Sequence, residues 1–237
     1  MKWRSLQESE PGVDSRPLRE ILAERQEKIT RYVLPQTQAV HQRVVEELNN
    51  SGATKKALSV GAKLPHFSLS DHNGKEVSSA ALLAKGPLIL CFVRGRWCPF
   101  CVAQLEAMNR ILSQIASAGA SLVAISPQTI QQSFFMADQH KLRFPLLSDY
   151  GNQMAKQFGI AYRVPEDQQN IYRRSFVNLP FINGDESWEL PMPSTFIIDR
   201  GGSILFASVN PDYTERPDPE QLLDELESRE KRTHAVD

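Results

Sequence analysis

Cys98 and Cys101 stand two residues apart in GRWCPFC, residues 95–101, between an apolar run at 88–93 and a stretch with helical spacing. Two sulfurs so spaced can close a small ring and cycle between dithiol and disulfide. The reacting species is the thiolate. A strand-to-helix junction favours it by placing the first sulfur beside unpaired backbone N–H groups and the positive end of the helix dipole. Arg94 and Arg96, just upstream, are candidates for further positive potential, and Trp97 for a cap over one side of the pair. Zinc and an inert buried thiol pair are the competing readings. Zinc would usually call for a second CxxC or a His pair at suitable spacing. The third cysteine, Cys91, sits among Leu and Phe in the apolar run and reads as a core thiol.

The elements that must hold this pair follow from periodicity. Residues 88–93 and Ser121–Ser126 are continuous apolar runs, as in buried strands, and 144–149 gives a short third strand. Residues 194–199 and Ile204–Val209 flank Arg-Gly-Gly-Ser at 200–203, a hairpin signal. Helical spacing follows the cysteines (Leu105, Met108, Ile111, Leu112, Ile115) and recurs at 130–142, around Met154 to Phe158, and after Pro217 or Pro219. Strands alternating with helices and closing on a hairpin plus helix describe an α/β fold with a central mixed sheet flanked by helices. Residues 17–52 read as an N-terminal extension of two helices, broken at Pro35 and packed on the main domain, after a loose tail at 1–16. The main domain spans 58–230. Its stretch 163–190 is too long and polar for an ordinary connection and reads as a lid-like insertion, with Trp188 a candidate cover for the pocket.

The 237 residues carry 27 Lys+Arg against 28 Asp+Glu, a net charge of −1, which leaves no basic footprint for nucleic acid and no polybasic signal for a membrane surface. The apolar runs fall far short of the roughly 18 residues a membrane span needs. The first twenty residues lack the apolar core of a secretory signal. Three cysteines are too few and too odd for a disulfide scaffold, so a reducing, cytoplasmic setting is expected.

From about Leu58 to Leu226 the chain resembles the peroxiredoxin-like group of the alkyl hydroperoxide reductase/thiol-specific antioxidant family, in the thioredoxin-fold superfamily. The marks are GAKLPHFSLSDHNGKEV, LILCFV running into GRWCPFC, FPLLSDYGNQMAKQFGI and PMPSTFIIDRGG, and the closing VNPDYTERPDPEQLL is also similar. The resemblance implies a thiol peroxidase that reduces hydrogen peroxide or organic hydroperoxides through a Cys98–Cys101 cycle, is re-reduced by thioredoxin or another dithiol donor, and needs no metal or organic cofactor. A homodimer is a further candidate partner. Two departures point instead toward a thioredoxin-like oxidoreductase acting on protein disulfides. The peroxiredoxin register P-x-x-x-T-x-x-C would put Arg94 at its Pro, Cys98 at its Thr and Cys101 at its reactive Cys. Where the family usually carries an Arg before the F-I-I-D strand, this chain has Pro193, which resembles the proline, commonly cis, lying beside the redox pair of thioredoxins. In W-C-x-x-C proteins the first sulfur attacks, so Cys98 is the favoured nucleophile, and helix geometry agrees because that sulfur is nearer the open helix end. A redox sensor or adaptor without turnover is the third reading.

Overall fold

In the computed structural model of the chain, which describes residues 14–233, apolar residues on both faces of strand β3 (Leu88–Phe92) place it at the centre of the sheet. Successive strand side chains alternate in direction. Ile89, Cys91 and Val93 accordingly enter one core and Leu88, Leu90 and Phe92 the other. Strands β4 (Ser121–Ser126) and β5 (Leu146–Ser148) extend the sheet on one side in parallel. Strands β8 (Ser194–Ile198) and β9 (Ile204–Val209) extend it on the other side, antiparallel, in the order β5-β4-β3-β8-β9. The fold is thus the thioredoxin-like α/β arrangement expected from the sequence, preceded by a small hairpin of β1 (Ser68–Ser70) and β2 (Glu76–Ser78).

The first face is covered by α4 (Pro99–Arg110) and α5 (Leu112–Ser117), divided at Ile111, where the backbone leaves helical angles. Helix α6 (Ile130–Gln139) and the C-terminal α10 (Pro219–Thr233) complete that layer. The short α3 (Ser79–Leu83) and α7 (Gln153–Gln157) lie elsewhere in the same domain, with Met154 and Ala155 of α7 in the second core.

The expected N-terminal helices form as α1 (Leu18–Tyr32) and α2 (Pro35–Asn50). Pro35 opens α2 in the first turn, where its missing N–H is not needed. Leu18, Ile21 and Leu22 of α1 enter the same core as α4. The tail expected over 1–16 lies outside the described residues except for 14–16.

Residues 163–190, read from the sequence as a lid-like insertion, have secondary structure of their own. They fold as α8 (Glu166–Arg174) and α9 (Leu179–Asn183), closed off by a hairpin of β6 (Ala161–Arg163) and β7 (Glu189–Pro191). A separate small core of Val164, Tyr172, Leu179, Trp188 and Leu190 holds the unit together, and Trp97 packs at its edge. Helix α8 is polar apart from Ile171 and Tyr172, and α9 spans only five residues, so neither gives a periodic signal. Helix α8 also meets α2 through an Arg43–Asp167 ion pair and a 2.8 Å hydrogen bond between Gln168 and the His41 ring.

Candidate redox site

The loop from Arg94 to Trp97 brings β3 into α4 through a conformation only glycine accommodates easily. Gly95 has φ 141°, and a Cβ there would lie 2.9 Å from the Trp97 indole nitrogen. The Gly95 carbonyl accepts from the Cys98 N–H at 3.1 Å, closing the turn, and Pro99 starts α4 with Cys98 as its N-cap. Cys101 is therefore the third residue of the helix, in its first turn. Both sulfurs are free and wholly buried.

Their surroundings differ. The Arg94 backbone N–H and the Arg216 Nη2 each donate to the Cys101 Sγ, both at 3.4 Å. Arg216 is held by its own bonds: Nε donates to Gln104 Oε1 at 2.7 Å, and Nη1 donates to the Tyr213 carbonyl at 2.9 Å. Gln104, three residues beyond Cys101 and itself buried, donates from Nε2 to Thr195 Oγ1 at 3.1 Å. Helix α4, strand β8 and the segment after β9 thereby meet around one sulfur. Burial raises the Cys98 thiol well above its ordinary range, and the neighbouring Cys101 sulfur pushes it the same way. Burial opposes ionisation of Cys101 as well. There it is outweighed by the hydrogen bond from Cys98, the charges of Arg216 and Arg94, and the Arg94 N–H, so this thiol lies well below the usual range. Of the two thiols, Cys101 is therefore the more readily ionised. The donors thus converge on Cys101, not on Cys98, the sulfur that the order of the motif favoured. Cys98, as N-cap, makes no side-chain capping bond, whereas the Cys101 sulfur accepts from the loop N–H of Arg94.

The other sequence candidates separate clearly. Arg94 is 3% exposed, and its guanidinium lies over the rings of Trp97 (4.6 Å to the centroid) and Tyr213 (4.4 Å). Its Nη2 reaches Tyr172 Oη of α8 at 3.4 Å. Burial works against its charge, but its pKa stands above the ordinary arginine value, so it stays protonated. Trp97 packs against Tyr172, tilted, with ring centroids 5.1 Å apart. Trp188 belongs to the insertion's own core, under Arg173, rather than over the sulfurs. Arg96 turns away: its Nε donates to Gln132 Oε1 of α6 at 2.7 Å, and its side chain lends the pair nothing. Pro193 stands just before the Ser194–Phe92 pair, beside the end of β3. Its peptide bond is trans, correcting the expectation of a cis proline; the Met192 N–H before it donates to the Ile160 carbonyl, and the Pro193 carbonyl accepts from the Asn210 N–H.

Cys91 is linked to the same network from behind, accepting weakly from Thr195 Oγ1 at 3.9 Å, and burial pushes its thiol up to about 12, as expected of a core residue. Among the described residues no group of three or more His, Cys, Asp or Glu is arranged to hold a metal, and no helix is long and apolar enough to cross a membrane.

Tyr172, Tyr213, His41, Gln104 and Arg216 are functional candidates that motif reading did not reach. Only the closing VNPDYTERPDPEQLL, noted for its family similarity, contained a pointer, since it carries Tyr213 and Arg216. His41 of α2 packs on the rings of Tyr172 (5.9 Å) and Tyr213 (5.7 Å), so the N-terminal extension, the insertion and the C-terminal segment jointly seal the pair.

The chain is similar to several known proteins. Peroxiredoxin Q, chloroplastic, of Triticum aestivum is 32% identical over 176 residues, covering 74% of this chain and 68% of that protein. The Sedum lineare peroxiredoxin Q is 28% identical over 165 residues, covering 70% and 74%. Among solved structures, peroxidoxin BcpB from Mycobacterium tuberculosis superposes with a TM-score of 0.57 at 22% identity, over 72% of this chain and 97% of that one. AhpC of Enterococcus faecalis gives 0.58 at 20% identity, over 75% and 96%; these two likenesses speak to the fold. The family model described as AhpC/TSA matches residues 60–207, from the entry segment through the redox pair into β9, and the chain belongs to the AhpC/TSA family of peroxiredoxins.

Proposed function

We propose that the protein is a thiol peroxidase in which Cys101 attacks the hydroperoxide and Cys98 resolves the product. The observation that carries this is the convergence of the Arg94 N–H and the Arg216 guanidinium on the Cys101 sulfur. The thiolate attacks the terminal peroxide oxygen, the O–O bond breaks, and the leaving alkoxide or hydroxide takes a proton to become alcohol or water. Cys101 is then a sulfenic acid. The Cys98 sulfur attacks it, the S–S bond forms, and hydroxide leaves as water with the Cys98 proton. A dithiol donor such as thioredoxin returns two electrons and two protons. No metal or organic cofactor enters this cycle. A reducing compartment, as in the cytoplasm, suits its three free thiols.

Arg216 supplies from the C-terminal segment the positive charge that Pro193 cannot supply from the position before β8. The same two donors that favour the thiolate also face the charge developing on the peroxide as its O–O bond breaks. Complete burial of both sulfurs favours a small oxidant over a protein disulfide as the first reactant. Peroxide consumption by the purified protein with a thioredoxin system tests the reading. Turnover that disappears in Cys101→Ser supports it, and consumption no faster than that of a free thiol rejects it.

A further inference from the structure

Arg94 is a buried cation without an anion. Its Nε and Nη1 have no hydrogen-bond partner, and among the described residues no carboxylate forms an ion pair with it. The Cys101 sulfur takes the Arg94 backbone N–H and Arg216, but no side-chain nitrogen of Arg94. Two guanidinium groups therefore face one thiolate. The remaining neighbours add no negative charge: Tyr162, Tyr172 and Tyr213 are held neutral by burial, and His41 is neutral as well. A buried guanidinium that lies over two aromatic rings and has two nitrogens without partners has the chemistry to take an anion. It lies in the residue whose main chain already touches the reactive sulfur.

The nearest opening lies behind two of the surrounding rings. A cleft of about 330 Å³ between α1, α2 and the C-terminal segment is lined by His41 and Tyr213, the residues that separate it from Arg94. Apart from those of the C-terminal segment, its walls are the N-terminal helices, and all of them fall outside residues 60–207, which carry the family match.

We infer that Arg94 is a substrate-recognition site for a carboxylate, and that the preferred oxidant is an organic hydroperoxide bearing one. The carboxylate would accept from the unpartnered nitrogens of the Arg94 guanidinium, Nε and Nη1, with the hydroperoxide on Cys101 and the connecting carbon chain against the rings. This rests on the peroxidase reading above, and the chemistry is unchanged: the thiolate takes one oxygen, and the carboxylate-bearing alkoxide leaves and is protonated.

The test compares a hydroperoxyhexanoate, its methyl ester and hydrogen peroxide as oxidants of the fully reduced protein, followed by stopped-flow tryptophan fluorescence. In the wild type the acid should react about tenfold or more faster than the ester, the equivalent of one well-made charged contact. In Arg94→Gln that ratio should fall to about one whatever happens to the absolute rates, and Arg94→Lys, which keeps the charge, should retain part of it. Equal rates for acid and ester in the wild type overturn the inference, as does a ratio that survives in Arg94→Gln. The wild-type comparison needs no variant to fold. If no hydroperoxide of the three oxidises the pair, the peroxidase reading fails; if all three do and the acid has no advantage, the carboxylate site alone fails.

Discussion

Arg216 donates to the sulfur of Cys101 at 3.4 Å from a segment that follows the last strand, 115 positions along the chain. The contact makes the C-terminal segment part of the redox site. It also gives Cys101 what Cys98 lacks, a charged donor directed at the sulfur. Replacing Arg216 by Gln should slow oxidation of the reduced protein by peroxide roughly a hundredfold or more, the usual loss for one donor facing developing charge. Arg216→Lys should recover part of that. Stopped-flow oxidation rates check both, and an unchanged rate in Arg216→Gln removes Arg216 from the mechanism.

Gln104 positions Arg216 without touching the sulfur, accepting from its Nε and donating to Thr195. Gln104→Ala should cost about 1–3 kcal/mol of stability by leaving buried polar groups unpaired. Loss of packing alone would lower stability without moving the thiolate. A positioning role predicts instead that the pH profile of Cys101 alkylation shifts upward, in the same direction as in Arg216→Gln and by less. Gln104→Glu, which keeps an acceptor for Arg216, should restore stability better than Ala.

The lowered Cys101 thiol gives a signed pH dependence. The ordinary cysteine value is 9.0 and the folded one is well below it. A group depressed on folding contributes stability that is present above its unfolded pKa and is lost as pH falls through its folded pKa. In Cys98→Ser, where the partner thiol is gone, thermal stability should therefore decline on acidification through the range in which Cys101 alkylation also falls away. Coincidence of the two curves, measured by calorimetry and iodoacetamide labelling, is the expected outcome. Separate midpoints would mean that the thiolate does not contribute to folding.

His41 gives a second window. Burial first, then the charge of Arg94, push its pKa from 6.5 to about 4. The folded state thus holds a neutral ring that the unfolded chain protonates below 6.5. The stability it contributes is present above that value and is lost as pH falls toward about 4. His41→Gln should flatten that part of the stability curve, and an identical acid limb in the variant would show that some other group is responsible.

Cys91 should behave as a core atom. With its thiol pushed up to about 12 and no exposure, it should resist alkylation until the chain unfolds. Cys91→Ala should cost about 1 kcal/mol, a small truncation in a packed core, and leave peroxide oxidation intact. Native-state mass spectrometry after labelling reads this directly.

Much of the scaffold was legible because its strands are short apolar runs with clear stops. Ser121–Ser126 follows Gly119 and ends before Pro127, and Ile204–Val209 follows the Arg-Gly-Gly-Ser turn; both runs are strands over those residues. The sulfur pair was visible from type, spacing and place. Its surroundings were not, since they come from tertiary contacts between segments that look solvated one by one. Arg216 sits in a polar stretch between Tyr213 and Pro217, where an arginine ordinarily faces water, and His41 is one polar residue in a helix whose only buried residue is Val44. Arg94 and Arg96 could not be told apart by spacing. The strand's alternation carries through Val93 and the glycine turn sends the first inward and the second toward Gln132. The surroundings of the two sulfurs follow the same pattern. Proximity to the helix end favoured Cys98, but the donors that reach Cys101 are one backbone N–H folded back by the Gly95 turn and one side chain from the far end of the domain.

The most direct measurement is mass spectrometry of Cys98→Ser and Cys101→Ser after brief peroxide pulses in the presence of a sulfenate trap. Attack by Cys101 predicts a trapped sulfenate on Cys101 in Cys98→Ser and none in Cys101→Ser. A sulfenate that forms on Cys98 in Cys101→Ser, with none on Cys101 in the other variant, would contradict it.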